Sequence, residues 1–296
     1  METNSKIKKI IVFSHDAGGA QILSSYLYLK NIKKVFGICE GPAKKIFKEK
    51  KIIVKKKSYR NLINSKAKFY TTTSWNSNIE KTAIKSLLLK KQKFVTFIDH
   101  WENYKKRFLK NYIPNNIWSF DTKSYKKFKL IFKKKNIFLK KNFFHSYALK
   151  KILNYKKPKN YKLNYLYLTE PLSELNKKFY KKKLSYPELK SLEFFLKKIE
   201  IKNKNIKITI RVHPNDKISK YMNFQKKFKN LNIRFDNQTS IYKQLAQNFN
   251  IVSFKSSIML LALKNNNNVL SSCPRKLHRV HYLKNKHNYV YNLSKI

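Results

Sequence analysis

Several clusters of chemically capable side chains stand where the sequence predicts that β-strands end. The first is Arg211-Val-His213-Pro214-Asn-Asp216, which follows the alternating run Ile206–Ile210. If the strand continues through Val212, Arg211 and His213 lie on the same face. A cation and an imidazole at a carboxyl strand end suit an anionic ligand, because open α/β sheets bind ligands at that edge. A solvated arginine beside a structural histidine is the alternative that needs no ligand.

A second cluster lies near the N-terminus. Ile7–Ser14 predicts a buried strand, His15-Asp16-Ala-Gly18-Gly19-Ala follows at once, and Gln21–Lys30 has helical spacing. Paired glycines permit a close approach of backbone or ligand, and a helix N-terminus offers free N–H groups to an anion. Asp16 is either the helix N-cap or a general base near a bound hydroxyl. The pattern is not GxGxxG, so it does not predict a dinucleotide.

A third cluster follows the apolar run Phe94–Ile98 and contains Asp99, His100 and Glu102 among aromatic residues. These carboxylates and the imidazole could handle protons, while the aromatic rings could stack on a sugar or base. The alternative is a loop that packs on its own aromatic side chains.

A fourth cluster comes after the predicted strand Asn250–Phe254, where Ser256 and Ser257 precede the helix Ile258–Lys264. Small hydroxyl residues at a helix N-terminus favour a phosphate cradle. Ordinary N-capping by either serine explains the same residues equally well.

The elements that must position these clusters alternate between strand and helix along the whole chain, which predicts parallel sheets. The polar segment Tyr155–Lys162 contains a proline and is typical of a domain boundary. We therefore predict an α/β fold of two Rossmann-like domains, residues 1–155 and 156–296, whose parallel sheets face a central cleft.

Composition limits the partners. The net charge of +53 invites polyanions, yet only six of the 68 basic residues are arginine, the usual bidentate reader of phosphate and guanine. Lysine, asparagine, isoleucine, phenylalanine and tyrosine are all abundant and all have A/T-rich codons, so compositional drift explains the charge better than a dedicated nucleic-acid surface. Peripheral contact with an anionic membrane is the remaining option.

The chain lacks an apolar run near the roughly 20 residues of a membrane span, and its N-terminus does not fit a signal peptide. We therefore expect a cytoplasmic protein, which could lie at the inner face of the cytoplasmic membrane. Neither the two cysteines nor His278, His281 and His287 have metal-ligand spacing, so no metal site is predicted.

Together the clusters resemble bacterial surface-polysaccharide glycosyltransferases of the two-Rossmann-domain (GT-B) type, most of all the sialyltransferase and polysialyltransferase-like groups. The resemblance rests on HDAGGA (15–20), LYLTEPLSE (166–174), RVHPND (211–216) and FKSSIMLLAL (254–263). It implies that His213 and Pro214 border the phosphate of a donor, that Ser256 and Ser257 bind it, and that a carboxylate of the N-terminal half is the base.

The chain departs from these families in being short and in lacking an Asp-Asp/Glu-Gly base motif, which leaves the base open between Asp16, Asp99 and Glu102. The predicted catalytic residues are His15, Asp16, Asp99, His100 and Glu102. The predicted donor-binding residues are Gly18, Gly19, Glu170, Arg211, His213, Pro214, Ser256 and Ser257.

The predicted activity is metal-independent transfer of a sugar, such as a nonulosonic acid from a CMP donor, onto a cell-surface glycan. The absence of a DxD motif favours transfer without a metal, and no cofactor is expected beyond the nucleotide-sugar co-substrate. The alternatives are a sugar-nucleotide 2-epimerase of similar fold and a non-catalytic basic protein that binds polyanions.

Overall fold

The computed structural model describes residues 9–74, 77–99, 104–171, 187–201, 205–254, 256–272 and 288–289. The chain divides into two compact units, Met1–Tyr147 and Ala148–Ile296. The division falls inside a helix, a few residues before the predicted boundary at 155/156. Each unit has its own parallel sheet, which confirms the predicted α/β class with two Rossmann-like domains.

The first unit is a seven-stranded parallel sheet with helices between its strands. The strands are β1 (Ile10–Ser14), β2 (Lys34–Cys39), β3 (Ile53–Lys55), β4 (Lys68–Thr71), β5 (Phe94–Ile98), β6 (Asn116–Ser119) and β7 (Asn136–Leu139). The helices are α1 (Ala17–Leu29), α2 (Pro42–Glu49), α3 (Tyr59–Ile63), α4 (Ile79–Leu89), α5 (Thr122–Ile131) and α6 (Phe143–Leu153), with a 3-10 turn at Tyr104–Arg107. Helix α6 leads into the second unit.

Strand β1 shows why this sheet is covered on both faces. All five of its residues are buried, and successive side chains face opposite sides. Val12 packs in a cluster with residues of α1 and α2, whereas Ile11 and Phe13 pack in a cluster with residues of α3, α4 and α5. A strand buried on both sides needs a continuous apolar run, and Ile10–Phe13 supplies it.

The second unit is a six-stranded parallel sheet. Its strands are β8 (Asn164–Leu168), β9 (Lys207–Arg211), β10 (Asn232–Phe235), β11 (Asn250–Ser253), β12 (Asn268–Ser271) and β13 (Asn288–Tyr289). Its helices are α7 (Pro187–Glu200), α8 (Asn223–Lys227), α9 (Ile241–Gln247) and α10 (Ile258–Lys264), with 3-10 turns at Tyr161–Leu163 and Ile218–Lys220. Among the described residues, no helix is long and apolar enough to cross a bilayer.

The strand order of each sheet reverses at one place. The first sheet runs β3-β2-β1-β4-β5-β6-β7 and the second runs β10-β9-β8-β11-β12-β13. The connections therefore leave in opposite directions from β1 and β4, and likewise from β8 and β11. Ligands of open parallel sheets bind beyond the carboxyl ends of the strands at such a switch point. Each unit thus has one sheet edge at which a site is expected.

The sequence also predicts strands over Asn116–Asp121 and Lys68–Thr73 and a loop with a terminal helix over 274–296, and the observed elements differ from these predictions. The predicted strand Asn116–Asp121 stops at Ser119, because Asp121 is the N-cap of α5 and its Oδ1 accepts the backbone N–H of Ser124 at 2.7 Å. The predicted strand Lys68–Thr73 stops at Thr71. The segment 274–296, predicted as a loop with a terminal helix, contains strand β13 instead, and the rest of that segment lies outside the described residues.

Asp216, the last residue of the HPND turn, is tied into the second unit. Its side chain is fully buried, its Oδ2 accepts the hydroxyl of Tyr221 at 2.6 Å, and Lys220 lies 3.3 Å from the same oxygen. The Tyr221 ring is itself fully buried. The pKa of Tyr221 is raised, mainly by burial and then by this hydrogen bond to a carboxylate. Asp216 therefore anchors the turn that carries His213 and Pro214.

Replacing Tyr221 by Phe is expected to lower the free energy of unfolding by about 1.5–3 kcal/mol, because a buried hydrogen bond to a charged group is lost. The shift of the urea midpoint in equilibrium unfolding measures it. Tyr125→Phe is the matched control, since that hydroxyl makes no hydrogen bond with the described residues, and it should change stability by less than about 0.5 kcal/mol. Equal effects of the two substitutions would contradict the anchoring role of Asp216.

Candidate functional site

His15 and Asp16 form a pair at the switch point of the first sheet, in the turn between β1 and α1. The Nδ1 atom of His15 lies 2.8 Å from Oδ1 of Asp16, and both side chains are partly exposed (29% and 23%). Asp16 does occupy the N-cap position of α1, and its carbonyl accepts the N–H of Ala20. Its carboxylate, however, makes no capping bond. The predicted capping role of the Asp16 side chain is therefore wrong, and the carboxylate bonds to the imidazole instead.

Three glycines allow this turn to approach the neighbouring strand ends. A Cβ on Gly18 would overlap Oδ2 of Asp99, and a Cβ on Gly19 would lie 2.6 Å from Cβ of Thr72. Gly41 precedes α2 with φ of 52°, and a Cβ there would lie 2.6 Å from Nε2 of His15. Because real Cβ atoms do not approach so closely, only glycine permits the observed geometry at these positions.

Asp99 follows β5 and is held by a buried arginine. Nη1 of Arg107 lies 2.8 Å from Oδ1 of Asp99 and 2.9 Å from Oγ1 of Thr73, and Arg107 is only 5% exposed. The pair fixes the carboxylate beside Gly18. The structure thus brings His15, Asp16 and Asp99 to one edge, whereas the predicted catalytic residues His100 and Glu102 lie outside the described residues.

Arg107 and Glu80 belong to this edge but were not among the predicted site residues. Glu80, in the first turn of α4, accepts the backbone N–H of His15 at 2.8 Å. Arginine is rare in a chain whose basic residues are almost all lysine, so Arg107 was a signal that sequence reasoning could have used. No sequence signal marked Glu80.

The second sheet has its own cluster at the switch point between β8 and β11. The hydroxyl of Ser253, the last residue of β11, lies 2.8 Å from Oε1 of Glu170. Thr169 accepts the backbone N–H of His213 at 2.9 Å through its hydroxyl. Glu170 and the HPND turn therefore lie near the same strand end. Ser253 and Thr169 were not predicted as part of this cluster.

Arg211 and His213 do not continue one strand, because β9 ends at Arg211. Nη1 of Arg211 donates to the carbonyl of Thr239 at 2.6 Å and to Oε1 of Gln244 at 2.8 Å, which ties β9 to α9. Burial lowers the pKa of Arg211. A phosphate contact from this side chain rests on its other N–H groups and stays a prediction.

His213 is a neutral hydrogen-bond donor at neutral pH. Burial lowers the pKa of its imidazole, and the charge of Asp216 offsets only part of that effect. Nδ1 accepts the backbone N–H of Asn215 at 3.2 Å, so the proton of the neutral ring is on Nε2. Among the described residues nothing accepts a hydrogen bond from Nε2–H. The ring is suited to donate one hydrogen bond to an oxygen of a ligand.

The serines before α10 have modest contacts within the fold. Oγ of Ser256 accepts the N–H of Ile258 at 3.3 Å, while Ser257 holds the N-cap position with an exposed side chain that makes no capping bond. The helix has seven residues, so only a few aligned peptide dipoles contribute to the field at its N-terminus. Pro214 is exposed. Phosphate binding by these residues stays a prediction.

Among the described residues, no group of three or more His, Cys, Asp or Glu side chains could hold a metal ion. Metal-independent chemistry therefore stays a prediction of the sequence, since part of the chain lies outside the described residues.

No protein-family model matches the chain, and no curated protein matches its sequence. Solved structures do match its fold. The Anabaena protein HepE in complex with UDP aligns with a TM-score of 0.57 at 8% identity, over 89% of this chain and 80% of that one.

The glycotransferase of kitacinnamycin aligns with a TM-score of 0.56 at 7% identity, over 98% of this chain and 87% of that one. UDP-N-acetylglucosamine 2-epimerase from Rickettsia bellii gives a TM-score of 0.50 at 13% identity, over 89% and 79%. The fold is therefore the GT-B type of two Rossmann-like domains.

A methyl group at Gly18 tests the packing of Asp99. Glycine-to-alanine changes within helices normally stabilise by about 0.5–1 kcal/mol. Here the methyl would overlap Oδ2 of Asp99, so Gly18→Ala should instead destabilise by about 1–3 kcal/mol, the usual cost of overpacking. Urea denaturation shows whether the substitution lowers or raises the free energy of unfolding.

The control is the same substitution in an Asp99→Ala background. Removing the carboxylate removes the overlap, so Gly18→Ala should there be neutral or stabilising, and the double-mutant cycle isolates the contact. A cost that is the same in both backgrounds would show that Asp99 does not lie against Gly18.

Proposed function

We propose that the chain is a glycosyltransferase that moves a sugar from a nucleotide donor onto a hydroxyl of a cell-surface glycan without a metal ion. The observation that carries the proposal is the His15–Asp16 pair at the switch point of the first sheet, bordered by three glycines. The GT-B-type fold, shared with enzymes that handle nucleotide sugars, supports it. The first unit would serve the acceptor and the second unit the donor.

In this proposal His15 is the base that accepts the proton of the acceptor hydroxyl. Asp16 bonds to Nδ1, which orients the ring and stabilises the imidazolium that forms, and Nε2 takes the proton. The acceptor oxygen then bonds to the anomeric carbon as the bond from that carbon to the phosphate oxygen breaks. Asp99, whose orientation Arg107 fixes, would accept a hydrogen bond from a substrate hydroxyl.

On the donor side, the leaving phosphate gains negative charge as the sugar departs. His213 offers an Nε2–H group, and Ser256 and Ser257 offer hydroxyls, with Glu170, Arg211 and Pro214 near the same edge. Preorganised donors of this kind stabilise a leaving phosphate and substitute for a metal ion. Gly18 and Gly19, also predicted to contact the donor, lie in the first unit next to Asp99 and Thr72, and their donor contact stays a prediction.

The sequence resemblance favours a CMP-linked nonulosonic acid as the donor, whereas the HepE structure contains UDP. The proposal therefore takes CMP as the expected nucleotide and UDP as its competitor. It places the reaction at the cytoplasmic side of the cell envelope, where such donors and a basic protein would meet an anionic membrane.

A 2-epimerase is the second candidate, because structural neighbours include the UDP-N-acetylglucosamine 2-epimerase from Rickettsia bellii. An epimerase would convert a nucleotide sugar in the absence of any acceptor. A non-catalytic polyanion binder is the third candidate, and it predicts binding that weakens steeply with salt and does not depend on His213.

The first test is nucleotide binding. A thermal-shift panel of CMP, CDP, UDP and GDP in moderately high salt should show stabilisation by CMP, and His213→Ala should remove it, because the phosphate loses a hydrogen-bond donor. Cytidine, which lacks the phosphate, is the control and should bind both proteins equally. Selectivity for UDP would favour the epimerase or a hexosyltransferase. If none of the nucleotides stabilises the protein, the proposed donor site is contradicted.

The second test is the base. With the donor that the panel identifies, His15→Ala should lower kcat for transfer by about 10²- to 10⁴-fold, the usual contribution of a general base. Glu40→Gln, which changes an exposed carboxylate outside the pair, should retain activity. Product release is followed with and without an acceptor glycan. Turnover of the donor alone to an epimer would contradict the transferase.

A further inference from the structure

Glu80 is a buried carboxylate for which the proposed reaction has no role so far. None of its surface is exposed. Its Oε1 accepts the backbone N–H of His15 at 2.8 Å and the hydroxyl of Thr72 at 3.0 Å. Its Oε2 is buried and has no hydrogen-bond partner among the described residues. Carboxylates are almost never fully buried unless they are paired, so this one needs a physical reason.

Glu188 provides an internal comparison. It is the second residue of α7, as Glu80 is of α4, and it is equally buried at 2% exposure. Nζ of Lys220 lies 2.8 Å from Oε1 of Glu188, so a cation compensates that charge. Among the described residues, no Lys, Arg or His side chain forms an ion pair with Glu80. Both carboxyl groups are buried and lie in the first turn of a helix. Among the described residues, only Glu188 of the two has a cation beside it.

The groups that face Glu80 come from three strand ends. His15 and Asp16 follow β1, Cys39 ends β2, and Thr72 follows β4. Burial raises the pKa of Glu80 and the charge of Asp16 adds to it, while the hydrogen bonds to Oε1 oppose the rise. Burial raises the pKa of Cys39 to about 12, and the charge of Glu80 contributes. The Glu80 carboxyl group therefore lies against the turn that carries the His15–Asp16 pair.

We propose that Glu80 is a positioning residue for this pair: it accepts the backbone N–H of His15, fixes the turn after β1 and so holds the imidazole in place for the acceptor hydroxyl. The inference rests on the proposed function, in which Nε2 of His15 takes the proton of that hydroxyl. A carboxyl group buried without a cation costs stability, and such local costs are typical of functional sites.

Stability against pH gives the first test. A carboxyl group whose pKa rises on folding above its ordinary 4.5 binds more protons in the native than in the unfolded state between the two values. Its contribution to stability therefore falls as pH rises through that window. Glu80→Gln keeps the shape and one acceptor oxygen but cannot ionise. Its Tm relative to the wild type should therefore increase from pH 4.5 to neutral pH.

Glu188→Gln is the matched control. It removes the nearer of the two carboxylates that Lys220 contacts and leaves only Asp216, so it should lower Tm at neutral pH. If Glu80→Gln lowers Tm at neutral pH as much as Glu188→Gln does, Glu80 is a structural residue and the inference is overturned.

The second test removes the acceptor of the His15 N–H. In Glu80→Met, whose side chain has a similar length but no acceptor oxygen, the backbone N–H of His15 should exchange with solvent faster, as followed by NMR, and the rate of transfer should fall about tenfold or more. Glu80→Gln keeps one acceptor oxygen and should retain most of the rate. A stable Glu80→Met variant with the wild-type rate and the wild-type exchange at His15 would overturn the inference.

The two readouts separate failure of this inference from failure of the proposed function. The NMR exchange measurement needs neither donor nor acceptor. Faster exchange at His15 in a Glu80→Met protein that transfers no sugar would support the contact between Glu80 and His15 while removing the transferase. Unchanged exchange in a Glu80→Met protein that remains an active transferase would overturn the role of Glu80 alone.

Discussion

The close approach of the backbone after β1 to the neighbouring strand ends is the constraint on which the first site depends. The chain contains four glycines in 296 residues, and three of them stand at this approach. Gly18 and Gly19 let the first turn of α1 lie against Asp99 and Thr72, and Gly41 leaves room for the ring of His15. Without that clearance, the imidazole and the carboxylates could not share one sheet edge.

The sequence predicted this edge in outline because local signals were strong. A short apolar run followed by HDAGGA predicted a strand, a turn and a helix, and those elements are β1 and α1. The residues that contact this turn could not be predicted from the sequence in the same way. Glu80 lies 65 residues from His15 in sequence, and an acid in the first turn of a helix normally serves the helix dipole. Its burial depends on the order of the strands in the sheet, and that order cannot be derived from a single sequence.

Arg107 was missed for a related reason. It follows Lys105 and Lys106, so its setting in the sequence is that of a solvated basic run. In the fold it is buried and bridges Asp99 and Thr73. The same contrast holds for Lys50, which is 4% exposed, donates to Gln21 and has its pKa lowered to about 8 by burial. The large positive charge is therefore a weak guide to function, while the individual cations that are buried and hydrogen-bonded are informative.

The two sheet edges differ in the chemistry that they can support. The first brings the carboxyl groups of Asp16, Glu80 and Asp99 to the turn that carries His15, and Asp16 bonds to the imidazole. A carboxylate bonded to one ring nitrogen orients an imidazole for proton transfer at the other. The second holds His213 neutral by burial, with its proton on Nε2, close to hydroxyl groups. Neutral donors bind a phosphate without releasing a proton to it. Proton transfer and leaving-group stabilisation need side chains of opposite electrostatic character. An enzyme that performs both is therefore well served by sites at the carboxyl ends of two separate sheets.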